Sequence, residues 1–287
     1  MLAVWIVCAC VAGCGSSGHS SSAQTSSGAS STAAQTGTST TTSTTTTPEA
    51  DISGKLDTLP KATPATGTLP PAPSSTTAAT ERTYLNAVFS DAQRFWQQEF
   101  SQSGVQYAPA RLVLFASAVH SACGAQSGTG PFYCGADRTV YLDLSFFQLL
   151  ARHAGVGPFG QAYIVGHELG HHVQHLIGVD RRVAALDQHD PNGANARSVR
   201  VELQADCMAG VWAHSSQARG QLTEADLGDA LKTAALVGDD FQQHAAGRAV
   251  DSALWTHGSS AERQHWLTTG FRSGHPGSCD TFVSNPT

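Results

Sequence analysis

Hydrophobic positions fall into regular periods only from about residue 80 onward. Tyr84, Val88, Phe95 and Phe100 recur at helical spacing and Gly104 offers an exit, so residues 80–103 are predicted as a helix. Residues 111–116 (Arg-Leu-Val-Leu-Phe-Ala) are a short run of strand formers. Residues 132–144 predict two strands around a turn at 135–138. Pro158–Ile177 reads as a long helix, with Pro in its first turn and Gly178 at its exit. Residues 196–213 predict another helix, and residues 223–236 a third with Thr223 as N-cap. Ser259-Ser-Ala-Glu262 is the pattern of a capping box, opening a helix through Trp266 and Leu267. Strands come early, helices come late, and no repeat is visible. The expected class is therefore α+β rather than a series of βαβ units.

The first quarter of the chain carries a different pattern. Residues 2–12 form an apolar run of eleven, the length of a signal-peptide core. The run ends in Val11-Ala12-Gly13-Cys14, which resembles the bacterial lipobox, although no Lys or Arg precedes it. The expectation is a lipoprotein signal peptide over residues 1–13, cleavage before Cys14, and lipid on the Cys14 sulfur. Between Ser16 and Thr47, 22 of 32 residues are Ser or Thr, and none is apolar and larger than Ala. Such a stretch cannot bury enough surface to offset the entropy of ordering it. Residues 14–79 are thus expected to be a disordered Ser/Thr/Pro-rich tether, and residues 80–287 one folded domain, exported and held on the extracytoplasmic side of a membrane.

Composition narrows the partners. The formal charge of −6, from 16 basic and 22 acidic residues, lacks the basic excess of a nucleic-acid binder. No apolar run approaches the ~20 residues that span a bilayer. Of the seven cysteines, Cys8 and Cys10 fall in the signal and Cys14 is the lipid acceptor. The remaining four predict two disulfides in an exported domain; of the three possible pairings the expected one is Cys123–Cys134, closing a short Gly-rich loop, with Cys207–Cys279, tying the C-terminal tail to a helix.

The chemistry concentrates in His167-Glu168-Leu169-Gly170-His171, inside the long predicted helix. Residues four apart lie one turn apart on one face, so two imidazoles can bind one zinc ion with the intervening Glu beside the metal's water. Ala162, Val165, Leu169, Val173 and Leu176 form an apolar stripe roughly opposite the two histidines, which predicts a packed face and a face free for metal. Gly166 and Gly170 are expected to let a neighbouring element come close. A catalytic zinc needs a third protein ligand. Three histidines at 167, 171 and 175 would span about 12 Å of helix axis, too far for one ion, so His172 and His175 are expected at the surface or behind the ligands. Glu202 and Asp206, four apart on the next helix, fit better: Glu202 as ligand, Asp206 as hydrogen-bond acceptor for a ligating imidazole.

These segments resemble the bacterial neutral zinc metallopeptidase family. The resemblance is carried by residues 167–174 (His-Glu-Leu-Gly-His-His-Val-Gln), residues 201–212 (Val-Glu-Leu-Gln-Ala-Asp-Cys-Met-Ala-Gly-Val-Trp), and Gly130-Pro-Phe-Tyr-Cys134 with Val140-Tyr-Leu-Asp-Leu144. It continues through residues 256–263 to Cys279-Asp-Thr-Phe282. It implies a gluzincin-like zincin: a small twisted sheet, an active-site helix with both histidines, a Glu ligand from a later helix, membrane anchoring and dependence on Zn2+. The lipobox and tether depart from it, standing where such chains commonly carry a transmembrane helix.

The expected function is hydrolysis of peptide bonds in a peptide or protein substrate, with zinc on His167, His171 and Glu202 and with Glu168 as general base. His257 is the candidate donor to the developing oxyanion, with His244, His265 and Tyr163 as competitors. The strand at residues 140–144 is a candidate edge for pairing with extended substrate. Two alternatives use the same ligands: a zinc amidase acting on cell-wall peptides, and a non-catalytic zinc-binding lipoprotein.

Overall fold

The computed structural model describes residues 52–69, 73, 77–128 and 130–283. The expected signal peptide and Cys14 lie outside the described residues.

A three-stranded sheet forms one side of the molecule. Its strands are β1 (Arg111–Phe115), β4 (Phe132–Cys134) and β5 (Thr139–Asp143). β5 is central, parallel to β1 and antiparallel to β4. The expectation that residues 140–144 offer a sheet edge is therefore overturned, since β5 has neighbours on both sides and is buried throughout. Between β1 and β4 the chain makes a separate hairpin of β2 (Ala118–Ser121) and β3 (Gly124–Ser127). The disulfide Cys123–Cys134 ties this hairpin to β4.

Eight α-helices occur among the described residues. The first, α1 (Ala78–Ser103), starts at a Thr77–Thr80 capping box and ends at Gly104, whose φ of 72° suits a residue without Cβ. A short α2 (Leu144–Leu149) runs into one π-helical turn before α3 (Pro158–Ile177). The first turn of α3 has no side-chain cap of its own. Its orphan amides are met from another helix: Gly157 and Gly160 N–H donate to the two oxygens of Asp229, at 2.8 and 2.7 Å. Asp229 belongs to α6 (Glu224–Leu236), so α6 fixes where α3 begins. α3 passes through Gly178 directly into α4 (Val179–His189). α5 (Ala194–Ala218), α7 (Asp239–Ala245) and α8 (Ser260–Ser273) complete the set.

Three helices build the site region by close approach. α5 packs across α3 where a Cβ on Gly170 would lie 3.0 Å from Ala205 Cα, and one on Gly166 2.9 Å from Trp212. Both glycines thus have the expected use. α8 crosses α5 at Gly210 and Gly270, where any side chain would collide with the opposing backbone. The disulfide Cys207–Cys279 then fastens the chain after α8 to α5.

Two expectations change here. α3 does not keep one face free, because α5 covers the histidine face and the helix is buried nearly all round. The expected tether does not extend to residue 79. Ile52, Leu56, Leu59, Ala62, Ala65 and Leu69 are buried in the main core, and Arg182 Nε donates to Ile52 O at 3.1 Å. A few apolar residues at irregular spacing suffice to dock a segment whose composition otherwise reads as tether. Among the described residues no helix is long and apolar enough to cross a membrane.

Candidate metal centre

Close packing of α3 on α5 brings His167, His171 and Glu202 together. One ligand atom from each lies within 4.8 Å of the others. Glu202 Oε2 is 3.1 Å from His167 Nε2, and Glu202 Oε1 is 3.3 Å from His171 Nε2. His167 and Glu202 are buried and His171 is half-buried. Glu168 follows His167 on α3 and is 1% exposed. It lines a small recess with His167, Pro131, Ile164, Val237 and His257.

Each histidine is held by its other nitrogen. His167 Nδ1–H donates to Asp206 Oδ1 at 2.8 Å. Asp206 is itself gripped by Arg263 of α8, whose Nε and Nη2 donate to its two oxygens at 2.8 and 3.0 Å. Tyr163 O–H donates to the same carboxylate at 2.5 Å. Burial favours the neutral acid, but the Arg263 and His167 charges outweigh it and hold Asp206 below the ordinary carboxylate range. His171 has a neutral partner instead, donating from Nδ1 to Gln174 Oε1 at 2.8 Å.

With both Nδ1 atoms used as donors, both Nε2 atoms present lone pairs toward the Glu202 carboxylate. Acceptor faces acceptor, an arrangement that only protons or a cation can balance. Two imidazole nitrogens and one carboxylate oxygen are the donor set of a three-ligand zinc site, so these residues fit the ion. In the chain alone, burial opposes the imidazolium of His167, yet Asp206 and Glu202 raise it to about 10. Glu202 lies well below its ordinary range: burial raises it, and the two facing histidines more than reverse that.

His257 stands just before α8. Its backbone N–H donates to Asp239 Oδ2 at 2.6 Å, and its Nδ1 lies 3.2 Å from Asp239 Oδ1. Burial works against its charged form, but the Asp239 hydrogen bond and the Glu202 charge leave it raised. Of the competing donors, Tyr163 also lines the recess but commits its hydroxyl to Asp206, while His244 and His265 are exposed and outside it.

His172 is not a surface residue, nor does it support a ligand. It is fully buried, accepting at Nδ1 from Tyr133 O–H at 2.9 Å and donating from Nε2 to Ala108 O at 2.8 Å. Burial, its largest influence, lowers it to about 4, so it is a neutral strut between α3 and the sheet side. His175 does not join the converging group and pairs with Asp180 at 2.6 Å.

Sequence reasoning missed Arg263 and Gln174. A lone Arg near a helix start usually marks a solvated face, and a Gln inside a helix carries no signal. Arg263 nevertheless lies on the buried side of α8, one turn after the Ser259 cap.

Comparison with known proteins agrees with this geometry. The family profile described as "Putative neutral zinc metallopeptidase" matches residues 15–282. The chain is 44% identical over 203 residues to the Escherichia coli K12 protein named "Uncharacterized protein YpfJ", covering 69% of this chain and 70% of that one. It is 46% identical over 190 residues to "Uncharacterized protein Rv2575" of Mycobacterium tuberculosis H37Rv, covering 61% of this chain and 63% of that one. No solved structure matches the chain. With that profile spanning nearly all of the sequence, and a group of residues that could hold a metal ion assembled between α3 and α5, the chain belongs to the neutral zinc metallopeptidase family.

Proposed function

We propose that the chain is a zinc-dependent peptidase that hydrolyses peptide bonds, with His167, His171 and Glu202 as metal ligands and Glu168 as general base. The observation that carries this reading is the convergence of those three ligands beside a buried Glu168 that borders a recess. A purely structural metal site has no need of that carboxylate. Zinc, when bound, supplies Lewis-acid activation of a water and of the scissile carbonyl.

The protein groups act around that centre. Glu168 takes a proton from the attacking water and returns it to the departing amine, so that water and peptide become a carboxylic acid and an amine. Asp206 holds His167 with Nδ1 protonated and Nε2 turned to the metal side. His257, with Asp239 on Nδ1, donates from Nε2 to the substrate oxygen as charge develops there. The recess is small, and apolar walls from Pro131, Phe146, Ile164 and Val237 exclude water from one side of the reacting bond.

The reading includes anchoring. Lipid on Cys14 would hold the domain at the extracytoplasmic face, with the chain ahead of residue 52 as spacer. Incorporation of labelled fatty acid into the wild type and its loss in Cys14→Ala test this part.

The catalytic part is tested with a mixed peptide library and the zinc-loaded protein. Cleavage should appear, stop with chelator, return with zinc, and fall at least ~100-fold in Glu168→Gln while the metal stays bound. Cleavage that persists in zinc-loaded Glu168→Gln would overturn the base assignment. Cleavage confined to cell-wall peptides would favour the amidase reading.

A further inference from the structure

The support behind His171 leads out of the zincin core. Gln174 Oε1 accepts from His171 Nδ1, and Gln174 Nε2 spends its two hydrogens on Val201 O at 2.7 Å and Gln204 Oε1 at 3.0 Å. Gln204 Nε2 in turn donates to Ser53 Oγ at 2.8 Å and Cys279 O at 3.2 Å. Gln174, Gln204 and Ser53 are all at least 98% buried.

The direction of this chain of amides is fixed. A backbone carbonyl can only accept. Turning either amide over would set its oxygen against a carbonyl oxygen, Val201 O for Gln174 and Cys279 O for Gln204. Neither flip is tolerable for amides this deeply buried. With both amides so pinned, Gln174 must offer oxygen to His171. His171 must then carry its proton on Nδ1 and direct Nε2 to Glu202. One end of the chain of bonds is a ligand candidate. The other is a serine in the segment ahead of α1, where Ile52 and Leu56 hold the backbone in the core.

We propose that Gln174, Gln204 and Ser53 are positioning residues of the metal centre: Gln174, pinned by Val201 O, sets the tautomer of His171, and Gln204 with Ser53 of the segment at residues 52–69 holds Gln174, and through it the His171 ring, in orientation. The segment is then part of the metal site rather than spacer. This rests on the reading of His171 as a ligand, but one of its consequences is visible without metal.

The test uses the full chain with 15N-labelled histidine, metal-free and zinc-loaded, compared with Gln174→Met and Ser53→Ala. In the metal-free wild type the ring proton on His171 Nδ1 should appear as a slowly exchanging resonance. Gln174→Met should lose that protection while the His167 ring proton, held by Asp206, keeps it. Zinc affinity, read by competition with a chromophoric chelator, should fall about 10- to 100-fold in Gln174→Met. In Ser53→Ala it should fall about two- to fivefold, one hydrogen bond's worth, and this milder variant serves where Gln174→Met does not fold. A protected His171 proton and unchanged zinc affinity in a folded Gln174→Met would overturn the positioning role, as would unchanged affinity and exchange in Ser53→Ala. Failure of the wild type to bind zinc would instead count against the metal-centre reading, leaving the metal-free proton exchange to decide the positioning role.

Discussion

The two histidines of the centre sit one helical turn apart, yet the protein holds them in opposite ways. Behind His167 stands a charged assembly: Asp206, clasped by Arg263 and Tyr163, all three essentially closed to solvent. Behind His171 stands a neutral one, Gln174, Gln204 and Ser53. A buried charge pair is costly to break because either partner left alone is an uncompensated ion. A buried amide chain costs only its unmet hydrogen bonds. A carboxylate also makes an imidazole more basic and a better ligand, whereas an amide fixes its tautomer without adding charge. In the proposed centre the charged arm would therefore add basicity to His167, and the neutral arm would fix the tautomer of His171 without adding charge.

The largest effect should come from breaking the charged arm. Arg263→Met leaves Asp206 buried with its main cation gone, and unfolding stability should drop by about 3–5 kcal/mol in denaturant titration. Gln174→Met, on the neutral arm, should cost about 1–3 kcal/mol in the same measurement. Equal losses would erase the contrast.

Acid and base sharpen it further. In the metal-free chain His167 is raised to about 10 from an ordinary 6.5. A raised imidazole contributes stability that is complete below its unfolded value and is lost as pH climbs through the folded one. Melting temperature of the metal-free chain should therefore fall between about pH 6.5 and 10. Asp206→Asn should flatten that slope by removing the first of the charges that raise His167, and Gln174→Met should leave it in place. A slope untouched by Asp206→Asn would contradict the charged arm.

The smallest expected change concerns the segment ahead of α1. Glu99 of α1 is buried against it, with Oε1 accepting from Thr63 N–H at 3.4 Å, and burial raises its carboxyl to about 7. A raised carboxyl contributes stability below its unfolded value that is lost as pH rises through the folded one. Glu99→Gln should accordingly raise the melting temperature by a few degrees at pH 8 and barely change it at pH 5. A gain that is equal at both pH values would show that the buried charge is not its source.

The charged arm was half legible in the sequence and the neutral arm was not. His167 with His171, and Glu202 with Asp206, declare themselves through four-residue spacings on predicted helices, because helix geometry turns spacing into a shared face, and Glu168 is marked by standing between the two histidines. The ends of α3, α6 and α8 were equally readable, since Gly178, Thr223 and Ser259 mark them by local chemistry. Both disulfides matched their expected pairing. Arg263 escaped notice because its partner lies 57 residues away and no local pattern announces a buried guanidinium. Ser53 lies 151 residues from Gln204, in a stretch whose Pro and Thr content masks its few anchoring side chains. α4 was missed because Gly178, a sound helix exit, also serves as the residue before the next helix. The β2–β3 hairpin is largely exposed and lacks the apolar alternation that marks a strand.

The central claim is that two differently supported histidines and Glu202 form one metal centre. It is tested most directly by counting zinc per chain, by elemental analysis after dialysis, in the wild type and in Glu202→Gln. The account predicts close to one zinc in the wild type and close to none in a folded Glu202→Gln. A folded wild type that holds no zinc even when zinc is supplied, or a Glu202→Gln that keeps its full complement, would contradict it.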